Sequence, residues 1–278
     1  VNIARAQLSG GGGFPPLTPV VRVLLFALVG THLAMWVIGL MAPTVGSALV
    51  LFLALDHSAW FEAPLFLPVW QLVTVALVHG GLWHLFGNCL FLYFFGTMVE
   101  SIIGSKRFAF LFGLGTIAAS VASLILMGFV SPDAVTVGAS GGVMAIVLAA
   151  ATFQPYASVL FIFIPLPLWV LAGGYVLLDL LPAIEALAGV DRSRIDHFAH
   201  LGGALFGFLA VKRGFVWIDW QKRVEQATAA RRERSAADDE AELDRILERV
   251  GKEGIQALDS RERAFLKRMS ERKAKGAR

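Results

Sequence analysis

Asp196-His197-Phe198-Ala199-His200-Leu201-Gly202-Gly203-Ala204-Leu205-Phe206-Gly207 opens on a carboxylate and two imidazoles and runs on in small and apolar residues. Gly203 and Gly207 are four apart, so on a helix they form a ridge where a second backbone can come close. His200 lies one turn before Gly203, on a similar face. A helix packed through Gly203 against another glycine-bearing helix would therefore set His200 beside whatever that helix carries. Ionisable groups at the mouth of such an apolar run are expensive in lipid, and each needs a reason.

The rest of the chain supports a lipid setting. Of its 278 residues 56% are hydrophobic, with a mean hydropathy of +0.68, against about 45–50% apolar in soluble domains. Charge is segregated: only Arg5, Arg22, Lys106, Arg107, Arg192 and Arg194 of the 24 Lys and Arg precede Lys212. A helix needs about 20 apolar residues to cross the hydrocarbon, and six segments approach this, roughly 20–41, 82–103, 107–128, 140–155, 159–182 and 197–213. The run 45–55 is too short to cross and reads as part of a long first loop, re-entrant or interfacial. The fourth and sixth segments are short, as suits helices whose ends meet a water-filled cavity. The expected fold is an all-α polytopic membrane bundle of six transmembrane helices.

Lys and Arg mark the cytoplasmic side. Arg22 precedes the first span, Lys106 and Arg107 join the second and third, and Lys212 and Arg213 follow the sixth. This places both termini in the cytoplasm; Arg192 and Arg194 count against it, but Glu185, Asp191 and Asp196 accompany them. The net charge of +3 comes from a tail that mixes both signs, so a solvated face beside anionic lipid explains it, and no nucleic-acid partner is expected. Cys89, the single cysteine, excludes an internal disulfide. No signal-peptide pattern is read at the N-terminus.

The domain reading follows: 1–19 a flexible lead-in, 20–213 the membrane domain, 214–242 a charged linker or helix, 243–278 a small cytoplasmic helical hairpin. In the tail, Leu243, Ile246, Leu247 and Val250 fall on one helical face. That helix should stop near Gly251 or Gly254. Asp259-x-x-Glu262 has the form of a capping box for a second helix.

Two further clusters share the outer depth of the first. In His79-Gly80-Gly81-Leu82-Trp83-His84-Leu85-Phe86-Gly87-Asn88, His84 and Asn88 lie on one helical face and can both donate to a developing oxyanion. Helix–helix hydrogen bonding is the plainer use of such a pair. In Gly138-Ala139-Ser140-Gly141 a serine opens the fourth span, with its backbone N–H unpaired at a helix start. Packing is the plainer use of those small residues. An imidazole on one helix and a hydroxyl on another, brought together by Gly203 and Gly141, meet the requirement for an activated serine. All three plain readings would have to hold together, at one depth by accident.

His79-x4-His84-x3-Asn88, Gly138-x-Ser140-Gly141 and Ala199-His200-x-x-Gly203, in this order, resemble the signature set of rhomboid intramembrane serine proteases, here of the bacterial type with a C-terminal helical extension. Trp70-Gln71-Leu72-Val73-Thr74 and the stretch from Glu100 through Gly104-Ser105-Lys106-Arg107-Phe108 are similar to the family's flanking patterns. The resemblance covers about residues 20–213. It implies a six-helix rhomboid-like bundle acting as an intramembrane serine endopeptidase, with Ser140 as nucleophile and His200 as general base. The Ser140 N–H, His84 and Asn88 would form the oxyanion hole, with Gly138, Gly141, Gly203, Met144 and His79 as supporting packing. Met144 stands where relatives often carry an aromatic residue over the base. No cofactor and no metal are implied. The substrates would be transmembrane proteins in the lipid bilayer, and the hairpin could dock a cytoplasmic partner. The expected location is a bacterial cytoplasmic membrane, with the active site toward its outer face.

Rival readings stay in view. His197 is an alternative base. Asp179 and Asp196 are candidate third members if they face inward, though a dyad is the simpler statement. His79, His84, His197 and His200 could together hold a metal. A catalytically silent binder of transmembrane clients is the alternative function, and a transporter is disfavoured because the polar groups cluster at one depth.

Overall fold

The computed structural model describes residues 15–62, 67–161, 164–190, 195–217 and 220–276. Most of the lead-in 1–19, and Arg192 and Arg194 with it, lie outside the described residues. The chain divides into two compact units, 1–218 and 219–278.

The first unit is a bundle of apolar helices: α1 Pro19–Met41, α2 Pro43–Leu53, α3 His57–Glu62, α4 Gln71–Thr74, α5 Leu82–Ile103, α6 Ser105–Val130, α7 Ser140–Phe153, α8 Leu168–Leu187 and α9 His197–Lys212. α5 passes through a π-turn at Leu92–Gly96. α1, α5, α6 and α8 are long and apolar enough to cross a membrane, while α7 and α9 have 14 and 16 residues. Short ribbons join β1 Leu55–Asp56 to β2 Val135–Thr136, and β3 Ser158–Phe161 to β4 Ile164–Pro167. The architecture is an all-α polytopic membrane bundle.

Two expected boundaries are corrected. The segment 159–182 is not one helix: 158–161 and 164–167 pair as the β3–β4 ribbon, and the helix runs from Leu168 to Leu187. Pro165 and Pro167 explain this, since neither can donate to a helical ladder and both clash with a preceding turn. Apolarity alone cannot tell a short buried strand from a helix. In the tail, α10 Trp220–Glu253 is one continuous helix, so no structural boundary falls between 242 and 243.

The central packing is backbone against backbone. A Cβ on Gly203 would overlap the Gly141 carbonyl, and one on Gly207 the Ala145 carbonyl. Gly141 and Gly142 instead receive side chains of α6: a Cβ on Gly141 would overlap the Ala119 methyl, and one on Gly142 the Thr116 hydroxyl. α7 and α9 thus touch backbone to backbone, α6 sets small side chains into the glycines of α7, and dispersion across these close contacts replaces the hydrophobic drive that lipid removes.

Buried polar groups tie the remaining helices down. Glu100, 3% exposed, accepts from the Val20 and Val21 N–H groups (both 3.0 Å) and from Thr18 Oγ1 (2.5 Å) and Ser105 Oγ (2.6 Å). It caps α1 from another helix, because Thr18 makes no side-chain cap of its own. At the other end of the first loop, the last carbonyls of α2 have no helical partner. Leu51, Phe52 and Leu53 instead accept from Gln71 Nε2 (3.0 Å), Trp70 Nε1 (2.7 Å) and Thr74 Oγ1 (2.7 Å). This is the physical content of the Trp70–Thr74 pattern.

In the second unit α10 ends at Gly254, whose φ of +82° suits glycine. α11 Ser260–Gly276 opens with the expected capping box: Asp259 Oδ1 accepts from the Glu262 N–H (2.8 Å), and Glu262 Oε2 accepts from the Asp259 N–H (3.0 Å). Glu262 is buried beside the Arg245 and Arg249 guanidinium groups, above a core that includes Ile246 and Leu258.

Candidate active site

Ser140 is the first residue of α7, so its N–H belongs to the unpaired first turn. Gly138 precedes it at φ +123°, and a Cβ there would stand 2.7 Å from His84 Nε2. Gly138 therefore permits both the turn into α7 and the approach of the His84 ring. α9 starts one turn before His200, with Asp196 as N-cap accepting from the Ala199 N–H at 2.9 Å.

The Gly203–Gly141 contact brings the two helices into register. His200 Nε2 stands 2.7 Å from Ser140 Oγ, and His200 Nδ1 stands 3.0 Å from Asp179 Oδ1. A carboxylate accepts, so Nδ1 carries the proton and Nε2 offers its lone pair to the hydroxyl. That is the tautomer a general base requires. Asp179 comes from α8 and is 7% exposed. Of the two candidate carboxylates it is the one against His200; Asp196 points elsewhere.

The same Asp179 Oδ1 also takes a hydrogen bond from His197 Nδ1, at 2.6 Å. His197 thus joins the carboxylate, with its ring 6.3 Å from that of His200. The four-histidine cluster does not assemble. Among the described residues, the group that could hold a metal is Asp179, His197 and His200, while His79 and His84 form an edge-on ring pair 5.2 Å apart.

A cavity of about 980 Å³ connects these groups; Ser140, His200, Asp179, His84, Asn88 and Met144 are on its walls. Asn88 Nδ2 spends one proton on the His84 carbonyl at 2.9 Å, which leaves the second for a ligand. His79 lies behind the wall, buried, with Nε2 accepting from the Ala139 N–H at 3.5 Å. Burial, and then the neighbouring His84 ring, push the His79 imidazole down to about 4. It stays neutral and supports the turn before Ser140.

Sequence reasoning passed over a second polar network. His57, fully buried at the end of the β1 ribbon, contacts the Ala134 carbonyl through Nδ1 (2.9 Å) and Ser123 Oγ through Nε2 (3.0 Å). Ser123 donates in turn to Asp196 Oδ2, which also accepts from Thr136 Oγ1 at 2.7 Å. The first loop, α6, the β2 ribbon and the cap of α9 are so held as one piece. A polar Asp56-His57 pair directly after an apolar run was the available signal.

The family described as "Rhomboid domain" matches residues 67–215, and a family of unknown function (DUF6576) matches residues 231–272. The chain is 31% identical over 148 residues to the human "Presenilin-associated rhomboid-like protein, mitochondrial", covering 52% of this chain and 38% of that protein. It is 31% identical over 157 residues to "Rhomboid-like protein 11, chloroplastic" of Arabidopsis thaliana, 52% of each chain. It is 30% identical over 145 residues to "Rhomboid protein 1, mitochondrial" of Saccharomyces cerevisiae, 50% of this chain and 40% of that one. The chain thus spans between about two fifths and one half of these relatives' own lengths. With its glycine-packed membrane helices and a domain match over more than half its residues, the chain belongs to the rhomboid family.

Proposed function

We propose that this protein is an intramembrane serine endopeptidase that cleaves transmembrane proteins, with Ser140 as nucleophile and His200 as general base. The observation that carries the reading is the relay from Asp179 Oδ1 to His200 Nδ1 (3.0 Å) and from His200 Nε2 to Ser140 Oγ (2.7 Å). His200 takes the Ser140 proton as Oγ attacks a peptide carbonyl and returns it to the leaving amine, and water from the cavity then hydrolyses the acyl-enzyme. The oxyanion is received by the Ser140 N–H, His84 and Asn88, where one donor is worth about 3–4 kcal/mol. Asp179 extends the expected dyad by fixing the tautomer of the base. Met144, Gly138, Gly141, Gly203 and His79 shape and support the site.

In this reading α7 and α9 are short spans that complete six, both termini are cytoplasmic, and residues 220–276 are a cytoplasmic helical hairpin available to a partner. Arg107 over the Trp217 ring, 5.5 Å from its centroid, gathers the basic and aromatic groups expected at one interface. The bacterial cytoplasmic membrane expected from the sequence draws no support from relatives named as mitochondrial and chloroplastic.

The test is cleavage of a model transmembrane substrate in detergent or liposomes, with fluorophosphonate labelling alongside. Wild type should cleave and label, and Ser140→Ala and His200→Ala should do neither. Cleavage by folded Ser140→Ala protein would end the nucleophile assignment. A folded wild type that neither cleaves nor labels would favour the silent-binder alternative.

A further inference from the structure

His197 and His200 lie three apart on α9 and aim their Nδ1 atoms at one oxygen of Asp179, at 2.6 and 3.0 Å. One carboxylate suffices to orient the base, so the second imidazole is unused by the mechanism. Two imidazole nitrogens and a carboxylate oxygen, all within 4.8 Å of one another and on the cavity wall, form a donor set suited to a borderline cation. We propose that Asp179, His197 and His200 form an inhibitory binding site for a divalent cation of the zinc class. The inhibitory part rests on the reading of His200 as base; the binding part does not.

The geometry needs small changes. Zinc–nitrogen and zinc–oxygen bonds of about 2.0–2.2 Å set tetrahedral ligand atoms roughly 3.3 Å apart. The two nitrogen–oxygen separations here, 2.6 and 3.0 Å, are shorter because protons bridge them, and a cation in place of those protons lengthens them by a few tenths of an ångström. The cavity side leaves the fourth position to water. Among the described residues no third donor joins the His79–His84 pair, and the Asp179, His197 and His200 set is the one that brings three together.

Proton placement gives the consequence. A metal takes the Nδ1 lone pair of each imidazole, and each Nδ1 proton moves to Nε2 of the same ring. No proton is lost overall and no oxidation state changes. His200 Nε2 then donates to Ser140 Oγ where before it accepted, so it cannot take the serine proton. The cation and the active base are mutually exclusive states of one ring.

The test uses the untagged full chain in detergent, carrying Ser140→Ala so that binding is read without catalysis. Competition of Zn²⁺ against a chromophoric chelator should give one equivalent per chain, weakened at least tenfold by His197→Ala. If that variant does not fold, His197→Gln, which keeps a donor for Asp179, serves the same purpose. In wild type, Zn²⁺ should suppress cleavage over the same concentration range, and EDTA should restore it. Folded Ser140→Ala protein that binds no equivalent, or equal affinity in a folded His197 variant, overturns the site. Stoichiometric binding with unimpeded cleavage overturns the inhibition. Binding lost with His197, in a wild type that never cleaves even in EDTA, supports the cation site and defeats the protease reading instead.

Discussion

Asp179→Asn probes how much of the chemistry depends on the carboxylate. Asn has nearly the same shape, yet it meets two converging imidazole N–H groups, at 2.6 and 3.0 Å, with no charge. Turned oxygen-first, the amide keeps neutral hydrogen bonds where charge-assisted ones stood. The loss at His200 is the difference between the two kinds of bond, about 1–1.5 kcal/mol, which converts to a roughly 5- to 13-fold fall in kcat. Turned nitrogen-first, it donates to His200 Nδ1 and moves the proton to Nε2, the arrangement that costs soluble triads about 10⁴. Either orientation lowers kcat by about fivefold or more. KM should change little, because Asp179 does not touch the scissile bond. Steady-state cleavage of a transmembrane substrate in liposomes reads both constants, and a thermal melt checks that the variant is folded. A folded Asp179→Asn protein whose kcat stays within twofold of wild type would refute the positioning role and return the site to a dyad.

Gly203→Ala should destabilise the bundle by more than the ordinary overpacking cost of about 1–3 kcal/mol, because the added carbon meets the Gly141 backbone. Gly173→Ala, with nothing within 4 Å, should leave the melt unchanged; equal effects in the two variants would show that this packing is not tight. Asn88→Ala removes one oxyanion donor and should lower kcat by about 10²–10³ with the protein still folded; unchanged turnover would remove Asn88 from the hole. For His79 the depressed folded value, about 4 against the ordinary 6.5, means that the unfolded chain takes up a proton first as pH falls. Its stabilising contribution is present above about pH 6.5 and declines toward pH 4. His79→Gln should therefore melt with a shallower acid slope than wild type, and parallel slopes would refute the buried neutral state.

Sequence by itself determined what is local. Hydropathy and charge segregation marked the membrane unit, because backbone in lipid must satisfy its own hydrogen bonds and so forms helices. Asp259 and Glu262 announced the start of α11, because a cap is settled within four residues. Gly203, Gly141, Ser140 and His200 were readable as a packing pair carrying a hydroxyl and an imidazole, since helical spacing fixes which residues share a face. The tertiary structure alone decided what depends on distance across the bundle. Asp179 could be named as a candidate, but whether it or Asp196 met His200 turned on the rotation of α8 relative to α9. Apolar content does not encode that rotation, and neighbouring helices impose it. The β3–β4 ribbon was hidden by a continuous apolar run, and its prolines were the one local clue. Glu100 capping α1 and His57 reaching Asp196 through Ser123 join residues 66 to 82 positions apart. Such contacts arise only when packing removes water from both partners and leaves each as the other's available hydrogen bond.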